Sequence, residues 1–510
     1  MTTATAPGHG DAAIALDQLA RTIGLPLPQG LSGATARIAG LTADSRAVAP
    51  GFLFAALPGS RTDGRAHIGD AVVRGAVAVL APEGTAWPDG VPARPLLAAP
   101  DARRALSLAA AAFHGAQPEV LVAVTGTNGK TSTVDFLRQI WALAGHRAAS
   151  LGTLGLRAEG FAPGPSLTTP DPVTLHAMLA ELARAGVTHA AMEASSHGLD
   201  QRRLDGVRLA AAGFSNLTRD HLDYHGGMAG YRAAKLRLFG TVLPPGAPAV
   251  ANADMEPETL DALRGIARDR GLRFLTVGEA GQDIRLLRHT PLPEGQALEL
   301  DAFGRRASLT LSLPGRYQAD NLLMALALAV ATGLDAEQAL PLLERLRGVP
   351  GRMELAARLA NGAAVYVDYA HTPDALERLL AALRPHVGPG GRLHVVFGAG
   401  GDRDPGKRPL MGTASARFAD RCWVTDDNPR SEDPAAIRAA VLAACPGGID
   451  AGDRAAAIAA ALDDLRPGDV LAVAGKGHES GQTIAGVTTP FDDAEVVRRL
   501  LGRDRAGRMP

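Results

Sequence analysis

The chain has 510 residues, a net charge of −1, 46% apolar residues and only two cysteines, Cys422 and Cys445. That length suits about three domains of roughly 100–200 residues, and the near-neutral charge argues against a nucleic-acid or membrane-surface protein. Two cysteines make neither a disulfide framework nor a zinc site, the N-terminus lacks the features of a signal peptide, and the longest apolar stretch, Leu322–Ala331, is too short to cross a bilayer. A cytoplasmic enzyme-sized chain is expected.

Residues 1–12 read as a disordered tail. From 13 to 117, short apolar runs such as Phe52–Ala55 and Ala76–Ala81 alternate with Gly/Pro turns and predict a small α/β domain. A second domain, 118–347, opens with Glu119–Thr125, a continuous apolar run suited to a buried parallel strand. A glycine loop and a helical pattern through Phe136, Leu137, Ile140 and Trp141 follow, then strands at Thr188–Met192 and Leu209–Phe214. Strands alternating with helices imply a parallel sheet covered on both faces. Leu322–Leu346 reads as a helix closing this domain. From 348 to 510, strands beginning near Ala363, Arg392, Arg421 and Asp469 each end in a polar loop. Ligands of open α/β sheets bind beyond the carboxyl ends of strands, so these four loops are expected to line one cleft.

Lysine is scarce: only Lys130, Lys235, Lys407 and Lys476 stand among 52 basic residues. Arginine serves surface charge equally well, whereas a compact ammonium at a phosphate, or an amine that must lose its proton, requires lysine. All four lie in glycine- or motif-rich segments. Gly126, Thr127, Asn128, Gly129, Lys130, Thr131 and Ser132 follow a strand and open a helix. Backbone N–H groups there can cradle phosphates, Lys130 can reach the β/γ-phosphates, and Thr131 can ligate Mg²⁺. The general phosphate-loop pattern wants glycine at position 124, where valine stands. Glu193, at the end of the next strand, is a candidate partner for the same cation. His221 and His225 have i, i+4 spacing, but a zinc site would need an evident third ligand.

Together with these segments, Asn216–His225, the Ala-Lys-x-x-Leu-Phe run around Lys235, Gly351–Glu354, Asp368–Pro373 and Asp427–Arg430 resemble the Mur ligase family, from Asp44-Ser-Arg46 to Glu479. The family's members are ATP-dependent amide-forming enzymes of peptidoglycan precursor synthesis. The resemblance implies a UDP-binding α/β domain, a central phosphate-loop ATPase domain with a parallel sheet, and a C-terminal Rossmann-like domain. It implies a monomer that uses ATP and Mg²⁺ and adds meso-diaminopimelate to UDP-N-acetylmuramoyl-L-alanyl-D-glutamate through an acyl phosphate. Lys130, His221 and Lys235 then match catalytic positions. Thr131 and Glu193 match a first metal site, and His221 with Lys235 a second, the lysine being carbamylated by CO₂. Asn321, Arg352 and Asp368 match nucleotide contacts. Ser45, Thr168, Thr169, Ser195, Gln201 and Arg203 match positions that bind the UDP-sugar dipeptide.

For the incoming amino acid the resemblance points to Arg403, Asp427, Asn428, Pro429, Arg430, Gly475 and Glu479. Diaminopimelate carries a carboxylate that lysine lacks, and a guanidinium can grip it bidentately. Asn428 offers further hydrogen bonds, and Glu479 suits the distal ammonium. A lysine-adding synthetase, a D-Ala-D-Ala-adding ligase and a folylpolyglutamate synthase are the alternatives within the fold, and Asp427–Arg430 argues against them. A phosphate-loop NTPase without ligation is the alternative of another class. It predicts no use for Lys235, Arg430 or Glu479.

Overall fold

A computed structural model describes residues 9–26, 36–59, 62–162, 168–220, 222–292 and 295–506. The first sheet has the order β1 (His9–Ala15), β2 (Arg37–Thr42), β3 (Phe52–Ala55), β4 (Ala78–Pro82), β5 (Leu96–Ala99). β1 is antiparallel to β2 and the others run parallel. β1 begins inside the stretch read as a tail. Its backbone groups pair with β2, a partner about 25 residues away in sequence that no local pattern announces. Residues 1–8 lie outside the described residues.

The central sheet contains β6 (Val120–Thr125), β7 (Ala148–Gly152), β8 (Gly155–Ala158), β9 (His189–Glu193), β10 (Ala211–Phe214), β11 (Pro248–Asn252) and β12 (Arg273–Gly278). Its order is β12-β11-β10-β6-β9-β7-β8, parallel except for β8. The apolar run of β6 is buried because neighbours lie on both sides and helices cover both faces. Register places Val124 beside Glu193 and Thr125 beside Phe214, so three strand ends deliver their loops to one place.

The helix near the end of this region spans Arg316–Ala331, not Leu322–Leu346. It stops where Gly333 takes φ 111° and the Gly333 and Leu334 N–H groups cap the last carbonyls. A short turn of helix, Ala336–Ala339, and a 3₁₀ segment, Leu340–Arg345, follow.

Compactness divides the chain into two units, residues up to 282 with 324–335, and 283–323 with 336 onward. The second unit holds an antiparallel meander of β13 (Ile284–Leu292), β14 (Gly295–Ala302) and β15 (Arg305–Leu311). Its main sheet is built from β16 (Glu354–Arg358), β17 (Ala364–Asp368), β18 (Leu393–Phe397), β19 (Arg421–Thr425), β20 (Ile449–Gly452) and β21 (Val470–Ala474), in the order β16-β17-β21-β18-β19-β20. Only β16 is antiparallel. The four strands read from sequence are thus adjacent and parallel. Val365, Val395, Val396, Leu471 and Val473 are fully buried. At about 1.5–3 kcal/mol for each such side chain, they make a stiff platform under the loops. A hairpin, β22 (Gly481–Ile484) and β23 (Val487–Pro490), follows β21. Among the described residues no helix is long and apolar enough to cross a membrane.

Candidate active site

In the first unit, the loop after β6 turns on Gly126 (φ 144°) and Gly129 (φ 84°). A Cβ on Gly126 would stand 2.0 Å from Ser215 Oγ, so only glycine fits. Asn216 ties the loop to β10: its carbonyl accepts from Thr127 N–H at 2.9 Å and its Oδ1 from Asn128 N–H at 3.0 Å. Ser215 Oγ donates to Asn128 O at 2.6 Å. The helix Lys130–Leu143 starts directly after this cradle, its N-terminal N–H groups and dipole favouring an anion.

Lys130 Nζ donates to Gly126 O and Thr127 O, both at 2.9 Å, and Lys235 Nζ donates to the same Gly126 O at 2.7 Å. Two lysine amines thus meet at one carbonyl, and Lys130 stands at the mouth of the cradle where a polyanion such as a triphosphate would lie. Lys235 is 1% exposed and lies 4.6 Å from the Tyr231 ring centroid. Burial, reinforced by the Lys130 charge, pushes its pKa well below the ordinary lysine value, and Asp220 opposes this only in part. That shift favours the neutral, nucleophilic form of the amine over what an exposed lysine would show. His221, expected to act with it, lies outside the described residues.

Glu193 is buried at the end of β9. Its Oε1 accepts from Thr131 Oγ1 at 2.9 Å and Thr153 N–H at 2.8 Å, and its Oε2 from Thr153 Oγ1 at 3.2 Å. A Cβ on Gly152 would meet Glu193 Oε1 at 2.2 Å. Hydroxyl and carboxylate oxygens together fit a hard divalent cation. Among the described residues no three His, Cys, Asp or Glu side chains gather. A cation here would therefore draw its other oxygens from water and phosphate, as Mg²⁺ ordinarily does.

Thr168 Oγ1 lies 3.1 Å from Thr153 Oγ1, and Thr169 Oγ1 bridges Glu193 O and Ser195 N–H at 2.9 and 3.0 Å. Ser195 Oγ accepts from Gly198 N–H at 3.0 Å, capping the turn Ser196–Asp200. Arg203 donates to Thr169 O at 2.5 Å and to Gln201 Oε1 at 2.8 Å. Gln201 and Arg203, with Thr42, Asp44, Arg103 and Thr174, line a cavity of about 400 Å³. Ser45 begins the short 3₁₀ turn after Asp44 and is not itself among the lining residues. The cavity is large enough for a nucleotide sugar fragment, and polar groups rim its apolar wall.

In the second unit the four loops meet as expected. Asp368, at the end of β17, accepts from Met353 N–H at 2.7 Å and Ala370 N–H at 2.9 Å; burial raises its pKa, and the Arg352 charge opposes that. Arg352 lies over the Tyr369 ring at 4.7 Å. Gln318 joins Asn321 Nδ2 at 3.2 Å to the Arg352 carbonyl at 3.1 Å. A Cβ on Gly351 would strike His478 N at 2.1 Å, so this loop rests on the loop after β21.

Arg430 has φ 55°, donates to Gly401 O at 2.7 Å, and its N–H pairs with Thr483 O at 3.0 Å. Gly400 separates it from Arg403: a Cβ there would lie 2.9 Å from Arg430 Nη1 and 3.9 Å from Arg403 Cγ. Pro429 is buried in the same loop. Asn428 Nδ2 donates to Glu479 Oε2 at 2.9 Å. Gly475, at φ 120°, leaves room for Asp427, whose Oδ2 would stand 2.9 Å from a Cβ there. Two guanidinium groups and a carboxylate on adjoining loops can receive a carboxylate and an ammonium on one ligand.

Sequence reasoning missed Thr153, which holds both oxygens of Glu193 and sits in no motif. It also missed Tyr369, the face under Arg352, and Gln482, whose Nε2 donates to Asp427 O at 2.8 Å from the hairpin. Lys407, named without a task, donates to His371 O at 3.2 Å. Burial lowers its pKa, and Asp427 counters this.

Residues 37–123 match the model of the Mur ligase family catalytic domain, 124–329 that of the Mur ligase middle domain, and 351–477 that of the Mur ligase glutamate ligase domain. The UDP-N-acetylmuramoyl-L-alanyl-D-glutamate--2,6-diaminopimelate ligase of Caulobacter vibrioides is 56% identical over 476 residues, 92% of this chain and 96% of that protein. Its counterpart from Agrobacterium fabrum is 54% identical, covering 91% and 93%. A solved structure of a ligase with the same description has a TM-score of 0.71 at 32% identity, covering 97% of this chain and 100% of that one. The folylpolyglutamate synthase of Mycobacterium tuberculosis, with a TM-score of 0.59 and 21% identity over 80% of this chain and 95% of its own, is similar in fold alone.

Proposed function

The chain belongs to the Mur ligase family, and from that premise we infer that it joins meso-2,6-diaminopimelate to UDP-N-acetylmuramoyl-L-alanyl-D-glutamate with ATP, giving the tripeptide precursor, ADP and phosphate. The domains 13–117, 118–347 and 348–510 divide the work into UDP-sugar binding, ATP use and amino-acid binding in a cytoplasmic monomer. The substrate carboxylate takes the γ-phosphoryl group to form an acyl phosphate. The incoming amine adds to its carbonyl carbon, and phosphate leaves. Mg²⁺, when bound, would neutralise phosphate charge, with Thr131 and Glu193 as its protein oxygens.

The chain's own groups support this reading. The Gly126–Ser132 N–H groups and Lys130 hold and orient the triphosphate. Lys235, buried and with its pKa lowered, can in its neutral form attack CO₂ through Nζ and release one proton, giving a carbamate whose negative charge Lys130 balances. Arginine could not do this. Gln201 and Arg203 would hold the dipeptide substrate, and Asn321, Arg352 and Asp368 the nucleotide.

Amino-acid choice rests on one observation: Arg430 and Arg403 flank Gly400 while Glu479 stands beside Asn428. The distal end of meso-diaminopimelate carries both a carboxylate and an ammonium, matching both signs; lysine offers only the ammonium. The test is phosphate release from ATP with Mg²⁺ and the UDP-dipeptide. Release is expected with meso-diaminopimelate and not with L-lysine or no amino acid. Equal release with lysine would sink the specificity argument, and release without any amino acid would sink ligation itself.

A further inference from the structure

The Asn428 carboxamide has a complete set of internal partners. Its Oδ1 accepts from Lys476 Nζ at 3.2 Å and from Thr483 N–H at 2.9 Å. Its Nδ2 donates to Glu479 Oε2 at 2.9 Å and to Asp427 Oδ1 at 3.1 Å. A carboxamide has two N–H donors and two acceptor lone pairs, and all four are used here. Two donors on one side and two carboxylates on the other admit a single orientation. Turned over, the amide would set N–H against an ammonium and oxygen against carboxylates.

Lys476 is 0% exposed and also lies 3.5 Å from Glu479 Oε2 and 3.9 Å from Asp427 Oδ1. A buried ammonium persists only when it is well paired, and here three acceptors surround it. The loop below is fixed too, because Gln482 Nε2 holds Asp427 O and Asp426 O at 2.8 and 3.3 Å. Glu479 has its Oε2 engaged by Asn428 and Lys476. Among the described residues its Oε1 has no hydrogen-bond partner.

We propose that Lys476 and Asn428 are positioning residues for the amino-acid site: Lys476 locks the Asn428 carboxamide, which holds Glu479 Oε2 and presents Oε1 to the substrate's distal ammonium. This rests on the ligase reading. It also gives Lys476 its task, since arginine is too large and too rigid a fork for the fully enclosed space.

The experiment compares steady-state constants of wild type, Asn428→Asp and Lys476→Met, with thermal melts to confirm folding. Asn428→Asp keeps the shape but sets a third carboxylate against Asp427 and Glu479. The KM for meso-diaminopimelate is expected to rise about tenfold or more. The KM for ATP and for the UDP-dipeptide should stay within about twofold, and kcat should change less than the amino-acid KM. If Asn428 met the substrate ammonium directly, an aspartate would hold it at least as well, and an unchanged or lower KM would overturn the proposal. Lys476→Met should give the same selective rise, and the double variant should fall short of the product of the two effects. A rise confined to the ATP KM, or multiplicative effects, would overturn the relay. If Lys476→Met does not fold, Asn428→Asp decides alone. A wild type without diaminopimelate-driven phosphate release overturns the ligase reading and this inference together; an active wild type with an unaffected Asn428→Asp overturns only the inference.

Discussion

Lys235 donates to one backbone carbonyl and lies against an aromatic ring, whereas Lys476 faces an amide oxygen and two carboxylates. Both are buried, at 1% and 0% exposure. Burial lowers the pKa of each; at Lys235 the Lys130 charge adds to the fall, while at Lys476 Asp427 and Glu479 pull the other way. Desolvation alone thus makes neither a catalyst nor a strut. Acceptors without full charge leave an amine free to react, and carboxylates at salt-bridge distance hold an ammonium in place. One scarce residue type thus stands in two opposite surroundings in two units of the same chain.

The sharpest way to break this comparison is to replace the amine at Lys235 with a permanent positive charge that cannot react. Lys235→Arg should lower kcat by about a thousandfold or more, the scale of losing an electrostatic or metal-holding group at a phosphoryl site. Lys235→Ala should regain part of its activity with added short carboxylic acids. Near-normal turnover by the arginine variant would mean that only positive charge matters there. In the other unit, Arg430→Lys should act on recognition. A single point charge replaces a planar fork, and the KM for diaminopimelate should rise about 10–100-fold, from a lost charge-assisted hydrogen bond of about 1.5–3 kcal/mol. An equal fall in kcat at saturating diaminopimelate would move Arg430 from recognition into the chemistry.

The contrast between the two lysines was half legible in the sequence. Scarcity marked both, and the strands behind them could be read because runs such as Glu119–Thr125 and Asp469–Ala474 are apolar without alternation, as double-sided burial requires. What surrounds each amine could not be read. Lys476 meets Asn428 from 48 residues away and Lys235 meets Gly126 from 109. Such pairs are set by register and loop closure, which local patterns do not encode. Asn428 is an example: its motif suggested a substrate contact, and its four internal partners became visible only in the fold. The break at Gly333, in contrast, carried a local signal in the glycine itself, two residues beyond the end of the apolar stretch at Ala331, which a helix drawn to Leu346 ran past.

The two lysines should also differ in the sign of their effect on stability. Lys476→Met removes a buried counter-charge from Glu479 and from Asp427, which keeps Arg454, and breaking such a pair costs about 3–5 kcal/mol. The melting temperature near pH 7 should fall on the order of 10 °C. For Lys235 the argument runs through proton binding. Unfolded, the amine takes a proton below about pH 10.4; folded, it does so only well below that value. Between the two values the unfolded chain binds more protons, so this group makes stability rise with pH across the window and withdraws its full contribution below the folded value. Lys235→Met abolishes that drain. Near pH 7, without CO₂ or ligands, the variant should melt about 2–4 °C above wild type, the scale of about 1 kcal/mol in a domain of this size. The gain should shrink as pH is raised toward 10.4. Calorimetry at three pH values reads both the sign and the trend. A Lys235→Met protein that melts lower at pH 7, or whose difference from wild type is flat with pH, would mean that the buried amine keeps its proton and is held as Lys476 is.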